Sequence, residues 1–298
     1  MTPAPDALDS QHASGPDRWW SEAWHLDAVA PDGTGLTVRL DCYPNQGVAW
    51  YWAYLVRPDL PGPLVVRDHE VPLPRQGLEV RAEGLWAELW CETPLEHWTY
   101  GLEAFGVRLD HPADALTAGE HGEIGERLPI GLDIEWEVAG PRHERPAAWP
   151  VAGVVQPGTV HGEVLVGRAR FELDCRGERR HTWGVRNWSR PAWSMWGAGG
   201  ELAFHVAGDA EVGTDGFVAR RGVATSAVRA ARTEVHRDAS GLPAAARAVL
   251  DGEIEIDVDV LATAPVPLPG ATLARAVCSY ALDGKPAYGW AAWLGPRA

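Results

Sequence analysis

Alternation of apolar and polar residues recurs along this chain and limits the folds that it can adopt. The pattern is clearest at 36–41, 78–83, 132–138, 165–174 and 253–260. Successive side chains of a strand point to opposite faces, so each run predicts a strand with one buried and one hydrated face. The 33 glycines and 24 prolines are dispersed, as the turns between many short strands require. We therefore predict an all-β protein of antiparallel strands.

The length and the mid-chain composition predict two domains. A chain of 298 residues fits two domains of ordinary size, and the polar segment 140–146 contains two prolines that favour a boundary there. We predict a disordered tail at 1–17, an N-terminal β-sandwich or barrel domain at 18–145 and a C-terminal barrel domain at 146–298. Aromatic residues on both faces of the strand at 50–54 indicate burial between two layers.

Charge and motifs exclude several classes of function. The net charge of −15 argues against nucleic-acid binding, which needs a basic face. The four cysteines include no CxxC pair, so neither a zinc site nor a disulfide framework is indicated. The chain has no P-loop, GxGxxG or GxSxG motif, and we expect non-redox chemistry without a cofactor or a metal. With no secretory signal and no apolar run of membrane-spanning length, we expect a soluble, cytoplasmic protein.

The segment 179–188 places polar side chains beside indole rings on both faces of a predicted strand. His181 can transfer a proton near neutral pH, and Arg186 can bind a carboxylate, an enolate or a carbonyl oxygen. Both are therefore candidate catalytic residues. Two structural alternatives remain open: a buried His181 bonded to a backbone carbonyl, and an Arg186 that lies on a tryptophan and closes a barrel end.

Two further candidates and an aromatic surface complete the predicted site. Glu163 falls in the apolar series of its strand, where burial would raise the pKa of its carboxyl and make it a proton donor; alternatively it lies in solvent at the strand end. Tyr288 could orient a carbonyl, although an aromatic strand more often forms core. The predicted substrate-binding residues are Trp183, Asn187, Trp188, Trp193, Trp196 and Trp290.

The motifs at 161–167, 174–177 and 180–188, together with the aromatic end at 288–290, resemble a pattern of one superfamily. It includes the carotenoid 1,2-hydratases (hydroxyneurosporene synthases) and the AttH-like proteins. The resemblance implies two tandem lipocalin-like, calycin-type domains and a cavity near their interface for apolar terpenoid or polyketide substrates. It also implies hydratase or cyclase activity. Here Arg180 replaces the acidic residue that precedes the histidine in that pattern.

The leading hypothesis is a cofactor-independent, non-redox enzyme. It would bind an apolar terpenoid- or polyketide-like molecule in a Trp-lined cavity and catalyse cyclisation, isomerisation or hydration. His181 or Glu163 would move the proton, and Arg186 and Tyr288 would polarise an oxygen. A carrier or sensor of a hydrophobic ligand, and an interaction module with plugged barrel ends, remain alternatives. An exposed sheet edge could also support a homodimer.

Overall fold

The computed structural model describes residues 5–117, 125–149 and 151–296 of the chain. In these ranges it forms twenty strands, a 3-10 turn at Pro5–Leu8 and a short helix α1 at Asp114–Thr117. The first sheet holds β1 (Trp20–Val29), β2 (Gly35–Tyr43), β3 (Val48–Val56), β4 (Leu64–Pro72), β5 (Leu78–Ala82), β6 (Leu85–Thr93), β7 (His97–Leu109), β8 (Gly125–Val138), β9 (His143–Glu144), β10 (Val151–Val166) and β11 (Ala169–Val185). The second holds β12 (Ala192–Gly199), β13 (Leu202–Asp209), β14 (Gly213–Arg220), β15 (Ser226–Val228), β16 (Ala231–Arg237), β17 (Pro243–Leu250), β18 (Ile254–Leu268), β19 (Ala271–Leu282) and β20 (Lys285–Pro296).

The first sheet closes on itself. Its strand order is β4-β3-β2-β1-β11-β10-β8-β7-β6-β5, and β4 pairs again with β7 through Leu64 and Val65. This pairing joins eight of the strands into a ring, the number at which side chains just fill a barrel interior. Within the described residues, the second sheet stays open, in the order β15-β14-β13-β12-β20-β19-β18-β17-β16. Every pairing is antiparallel, so the predicted all-β, lipocalin-like fold class is confirmed.

Three large apolar cores follow from the way the two sheets pack, and a fourth, smaller cluster consists of Leu8, Leu95 and Val154. One fills the barrel, one lies on the second sheet, and one lies between the sheets. Strand β3 serves two of them, since Tyr51 points into the barrel while Trp50, Trp52 and Tyr54 pack toward the second sheet. The aromatic strand therefore lies between two layers, as its sequence indicates.

The two sheets approach each other closely at a glycine. A side chain at Gly35 would place its Cβ 2.4 Å from Val277 Cγ2 and 3.0 Å from Trp290 Cζ2, both in the second sheet. The Trp290 indole N–H then donates to the carbonyl of Ala28 in the first sheet at 2.9 Å. Gly35 thus leaves the space that a buried tryptophan of the other sheet fills.

Part of the predicted disordered tail packs onto the end of the barrel. Leu8 is buried, and the Asp9 carboxylate forms an ion pair with Arg179 and accepts a hydrogen bond from Trp98 Nε1 at 3.1 Å. Arg179 in turn lies over the Trp98 ring at 4.4 Å. A buried guanidinium needs this counter-charge, and the segment from residue 5 to residue 17 supplies it. Residues 1–4 lie outside the described ranges.

The two sheets divide between 185 and 192, later than the predicted domain boundary at 145. The segment 140–146 is not the chain connection between the two sheets, because His143 and Glu144 pair with β10 within the first sheet. Strands β10 and β11 then complete the barrel. Within the described ranges, no helix has the length and hydropathy required to cross a membrane.

Candidate active site between the two sheets

A cavity of about 140 Å³ lies between the sheets, beside strands β1, β2 and β11 of the first and β12, β13, β19 and β20 of the second. Its lining is strongly cationic and includes His25, Arg39, Arg145, Arg180, Arg186 and Arg275. Three indoles, those of Trp149, Trp188 and Trp193, also line it. None of the described residues in the lining is an aspartate or a glutamate, which is unusual in a chain with a net charge of −15.

Asp27 is the central acceptor beneath this cavity. Its fully buried carboxylate forms ion pairs with Arg180 of the first sheet and Arg275 of the second, and accepts from Trp196 Nε1 at 3.1 Å. Burial opposes its ionisation. The two arginines and the neighbouring His25 outweigh that effect and hold the pKa of the Asp27 carboxyl well below its usual value. Asp27 therefore joins the sheets as a carboxylate.

His25 lies on the cavity wall with a defined proton position. Its Nε2 is 2.9 Å from Asp27 Oδ1 and 2.9 Å from Thr37 Oγ1. Burial, and next the Arg180 charge, lower the pKa of His25 well below its usual value, so the ring is neutral at pH 7. Arg180 Nη2, which can only donate, lies 3.3 Å from the same Nε2. We assign the single proton to Nε2 because the Asp27 carboxylate only accepts and lies closer, and this assignment leaves the lone pair on Nδ1.

Two of the cavity arginines lack a close carboxylate partner. Arg39 is paired with Asp41, with Nε–Oδ2 at 2.5 Å. Arg186 lies 4.0 Å from the same carboxylate. Among the described residues, Arg145 has no carboxylate oxygen within 4.0 Å, and Asp215 and Glu178 act on it from farther away. Burial, then the charges of neighbouring arginines, lower the pKa of both Arg145 and Arg186 to about 10.

A second buried histidine adjoins this network. His205 Nδ1 lies 2.9 Å from Glu178 Oε1, and Arg180 Nε lies 3.4 Å from the same oxygen. Burial lowers the pKa of His205 despite the Glu178 carboxylate. The network therefore runs across the interface from one sheet to the other.

The structure brings three of the sequence-predicted residues to the cavity and two more beside it. Arg186, Trp188 and Trp193 line it directly. The Arg186 guanidinium lies over the Trp188 ring, 5.0 Å from its centre. This contact is one part of the structural alternative, but Arg186 lines the cavity between the sheets. Trp196 and Trp290 lie in the core between the sheets, where Trp196 donates to Asp27.

His181 and Trp183 lie on the opposite face of β11. His181 Nδ1 is 2.7 Å from the carbonyl oxygen of Leu8, and its Nε2 is 2.9 Å from Glu22 Oε1. Burial lowers the pKa of the His181 ring, against the hydrogen bond with Glu22. Trp183 stacks on His12 with ring centroids 3.7 Å apart. Both residues therefore face the N-terminal segment, away from the cavity between the sheets.

The remaining three predicted residues lie apart from the cavity. Glu163 is half-buried on the outside of the barrel and pairs with the exposed Arg170, as the alternative reading of Glu163 expects. Asn187 is exposed and its side chain accepts from the backbone N–H of Ser189. Tyr288 is half-buried and packs against the core between the sheets.

One buried group could offer ligands to a metal ion. Ligand atoms of His12, Glu22 and His181 lie within 4.8 Å of one another. Glu22 Oε1 is 2.7 Å from His12 Nδ1 and accepts from the His12 backbone N–H at 3.1 Å. These protein contacts satisfy the carboxylate without an ion.

Sequence reasoning missed His25, Asp27, Arg39, Arg145 and Arg275. Of these, only Arg39 lies in one of the alternating runs, on the face that the pattern predicts to be hydrated. The signal that could have found it is the density of charge along 36–41, since Arg39 can pair with Asp41 two residues away.

The comparisons with known proteins agree with this architecture. The family described as "Domain of unknown function (DUF7064)" matches residues 5–297. Among curated proteins, none matches the chain in sequence.

Solved structures with the same fold cover nearly the whole chain. A protein described as an AttH from Nitrosomonas europaea is 12% identical with a TM-score of 0.62, covering 96% of this chain and 95% of that one. CghA, solved with Sch210972, is 13% identical with a TM-score of 0.57 over 94% and 90% of the two chains. Kievitone hydratase from Nectria haematococca is 11% identical with a TM-score of 0.56 over 93% and 88%. The AttH-like resemblance seen in the sequence is thus confirmed as a shared fold.

Proposed function

The chain belongs to the DUF7064 family, and we propose that it is an enzyme that rearranges a small organic molecule in the cavity between its two sheets. The reaction is non-redox: a cyclisation, an isomerisation, or the addition or removal of water. The proposal rests chiefly on one observation, the neutral His25 held by Asp27 on the wall of that cavity. The hydratase among the structures of the same fold is consistent with this class of reaction.

His25 has the properties of a positioned proton acceptor. Asp27 holds the Nε2–H, which leaves the Nδ1 lone pair to take a proton from the ligand, and the carboxylate stabilises the imidazolium that results. This chemistry corresponds to the role that the sequence assigns to His181. We assign it to His25 because His181 faces the N-terminal segment and is bonded to the Leu8 carbonyl and Glu22.

The other cavity residues would bind and polarise the ligand. Arg186 and Arg145 can stabilise negative charge that develops on an oxygen. Trp188 and Trp193 supply apolar faces that would orient a flexible chain or ring in one conformer. The protein's own side chains supply the proton acceptor, His25, and the oxygen-binding groups, Arg145 and Arg186. The proposed reaction therefore requires no cofactor.

A mass-resolved metabolite assay tests the proposal. The purified protein is incubated with a small-molecule extract of its natural host, and liquid chromatography with mass spectrometry follows each compound. We expect one compound to decline while a product of equal mass, or of a mass differing by one water, accumulates. His25→Gln should abolish the conversion, while His161→Gln, a half-exposed histidine of β10, should retain it.

Two results would contradict the proposal. A product differing by two hydrogens would show redox chemistry. A compound that binds and is released unchanged would make the protein a carrier, the main alternative from the sequence.

A further inference from the structure

The cavity holds more positive charge than its protein partners neutralise. Of its five arginines, Arg39 is paired with Asp41, and Arg180 and Arg275 share Asp27. Arg180 also lies 3.4 Å from Glu178. The other two, Arg145 and Arg186, have no carboxylate oxygen closer than 4.0 Å among the described residues. Removing charge from water without a counter-charge is costly, so an unneutralised pair at a cavity wall indicates a site for an anion.

Arg186 is the first of these two groups. Its Nη2 donates to Thr182 Oγ1 at 3.1 Å, and its Nε is 4.0 Å from Asp41 Oδ1, which is already held by Arg39. The Nε is buried and makes no hydrogen bond among the described residues. The guanidinium carbon lies over the Trp188 ring, 5.0 Å from its centre, and a guanidinium in such a position keeps N–H donors for an oxygen ligand.

Arg145 is the second group and repeats this arrangement. It follows β9 and enters the cavity from the segment between β9 and β10. Its guanidinium lies 5.1 Å from the Trp149 ring centre, and its Nε is buried without a hydrogen-bond partner in the described part of the chain. Arg145 and Arg186 line the same cavity, so one ligand can contact both guanidinium groups.

We infer that the ligand of this cavity carries an anionic oxygen group, such as a carboxylate or an ionised enol, bound between Arg145 and Arg186. The remainder of the ligand is apolar and packs on Trp188 and Trp193. This inference rests on the proposed function for the location of the substrate and specifies the substrate's chemical class.

The size of the cavity fits the charged end of a larger molecule. A volume of about 140 Å³ is close to the ~150 Å³ of an engineered cavity that binds benzene. An acidic head group with part of one ring fills such a space. The longer body of a terpenoid- or polyketide-like ligand would extend toward Trp193.

Calorimetric titration with simple probes tests the inference independently of turnover. The probes are benzoate, methyl benzoate and inorganic phosphate, each titrated into the full chain at low ionic strength. We expect benzoate to bind, and methyl benzoate and phosphate to bind at least tenfold more weakly. Arg145→Gln and Arg186→Gln should each weaken benzoate binding at least tenfold, while Arg145→Lys and Arg186→Lys should recover part of it. The matched control is Arg247→Gln, which changes an exposed residue of β17. This variant should bind benzoate as tightly as the unchanged protein does.

Several outcomes would overturn the inference. Equal binding of benzoate and its ester would show that charge is not recognised. Phosphate binding as tight as benzoate would show a site for a free anion without an apolar body. Benzoate binding that survives both glutamine substitutions would place the anion elsewhere.

The two proposals can fail separately. If benzoate binds through both arginines but no host compound is converted, the anion site stands and the enzyme proposal fails. If the enzyme converts a neutral compound and no carboxylate binds, the reaction stands and the anionic substrate class is wrong.

Discussion

The carboxylate of Asp27 in the first sheet and the guanidinium of Arg275 in the second form a buried ion pair across the interface. The Asp27 side chain is fully buried and that of Arg275 is 4% exposed. An ion pair in such a place stabilises one relative arrangement of the sheets, because any sliding would separate two desolvated charges.

Replacing Asp27 by asparagine should destabilise the protein strongly. The substitution keeps the shape but leaves Arg275 buried without a counter-charge, and Arg180 with only Glu178, 3.4 Å from its Nε. We expect a loss of about 3–5 kcal/mol in the free energy of unfolding. Urea denaturation followed by tryptophan fluorescence measures it. Asp59→Asn, which removes the exposed partner of Arg57, is the control and should change little. Equal stability of the two variants would show that the pair does not hold the sheets together.

Stability should fall as the solution becomes mildly acidic. Burial lowers the pKa of His25, His181 and His205. As the pH falls through about 6.5, these histidines gain protons in the unfolded chain but not in the folded one. The unfolded state then binds more protons, so the free energy of unfolding decreases with falling pH, by at most about 4 kcal/mol per pH unit for three groups.

Urea titrations between pH 7.5 and 5 measure this slope. His205→Gln should reduce the slope because one of the three groups is removed. A stability that is constant or increasing as the pH falls over this range would contradict the neutral state assigned to the three rings.

Substituting Gly35 by alanine should disturb the contact between the sheets. The new Cβ would lie 2.4 Å from Val277 Cγ2, and overpacking of this kind typically costs about 1–3 kcal/mol. The matched control is Gly295→Ala, because a Cβ at Gly295 meets nothing within 4 Å. Thermal unfolding compares the two. A melting temperature for Gly35→Ala equal to that of the control would mean that the sheets tolerate separation here.

Residues 5–17 should resist hydrogen exchange although their composition is typical of a disordered tail. The Asp9 carboxylate accepts the backbone N–H of Leu95 and pairs with Arg179, which ties the segment to the barrel. We expect slow exchange for this segment by mass spectrometry, and faster exchange there and at Leu95 in Asp9→Asn. Asp238→Asn, in an exposed turn, should leave both unchanged. Fast exchange of the segment in the unchanged protein would support the disorder that the sequence predicts.

The strands could be predicted from the sequence, but not the surroundings of their polar faces. The alternation at 36–41 correctly places a strand, and its apolar side chains fill the barrel. Its polar partners Thr37, Arg39 and Asp41 were expected in water, yet all are buried against the second sheet. Alternation specifies that two faces differ; it does not specify whether the polar face meets solvent or another charged surface.

The candidate site shows the same limit. Periodicity correctly separates Arg186 from His181 on opposite faces of β11, but it cannot tell which face borders a cavity. That depends on pairings between distant segments, such as β1 with β11 and β12 with β20. Asp9, which is 170 residues from Arg179, has no local signal at all.

The two faces of strand β11 make separate sets of contacts, and a substitution on one face need not disturb the contacts of the other. Its side chains at 179, 181 and 183 face the barrel end and the N-terminal segment, while those at 178, 180 and 182 face the second sheet. A substitution at one set alters the fit of the barrel and leaves the other set in place. Directed evolution of this protein toward new ligands could therefore randomise the codons of alternate β11 residues. The intervening codons would be kept unchanged so that the variants still fold.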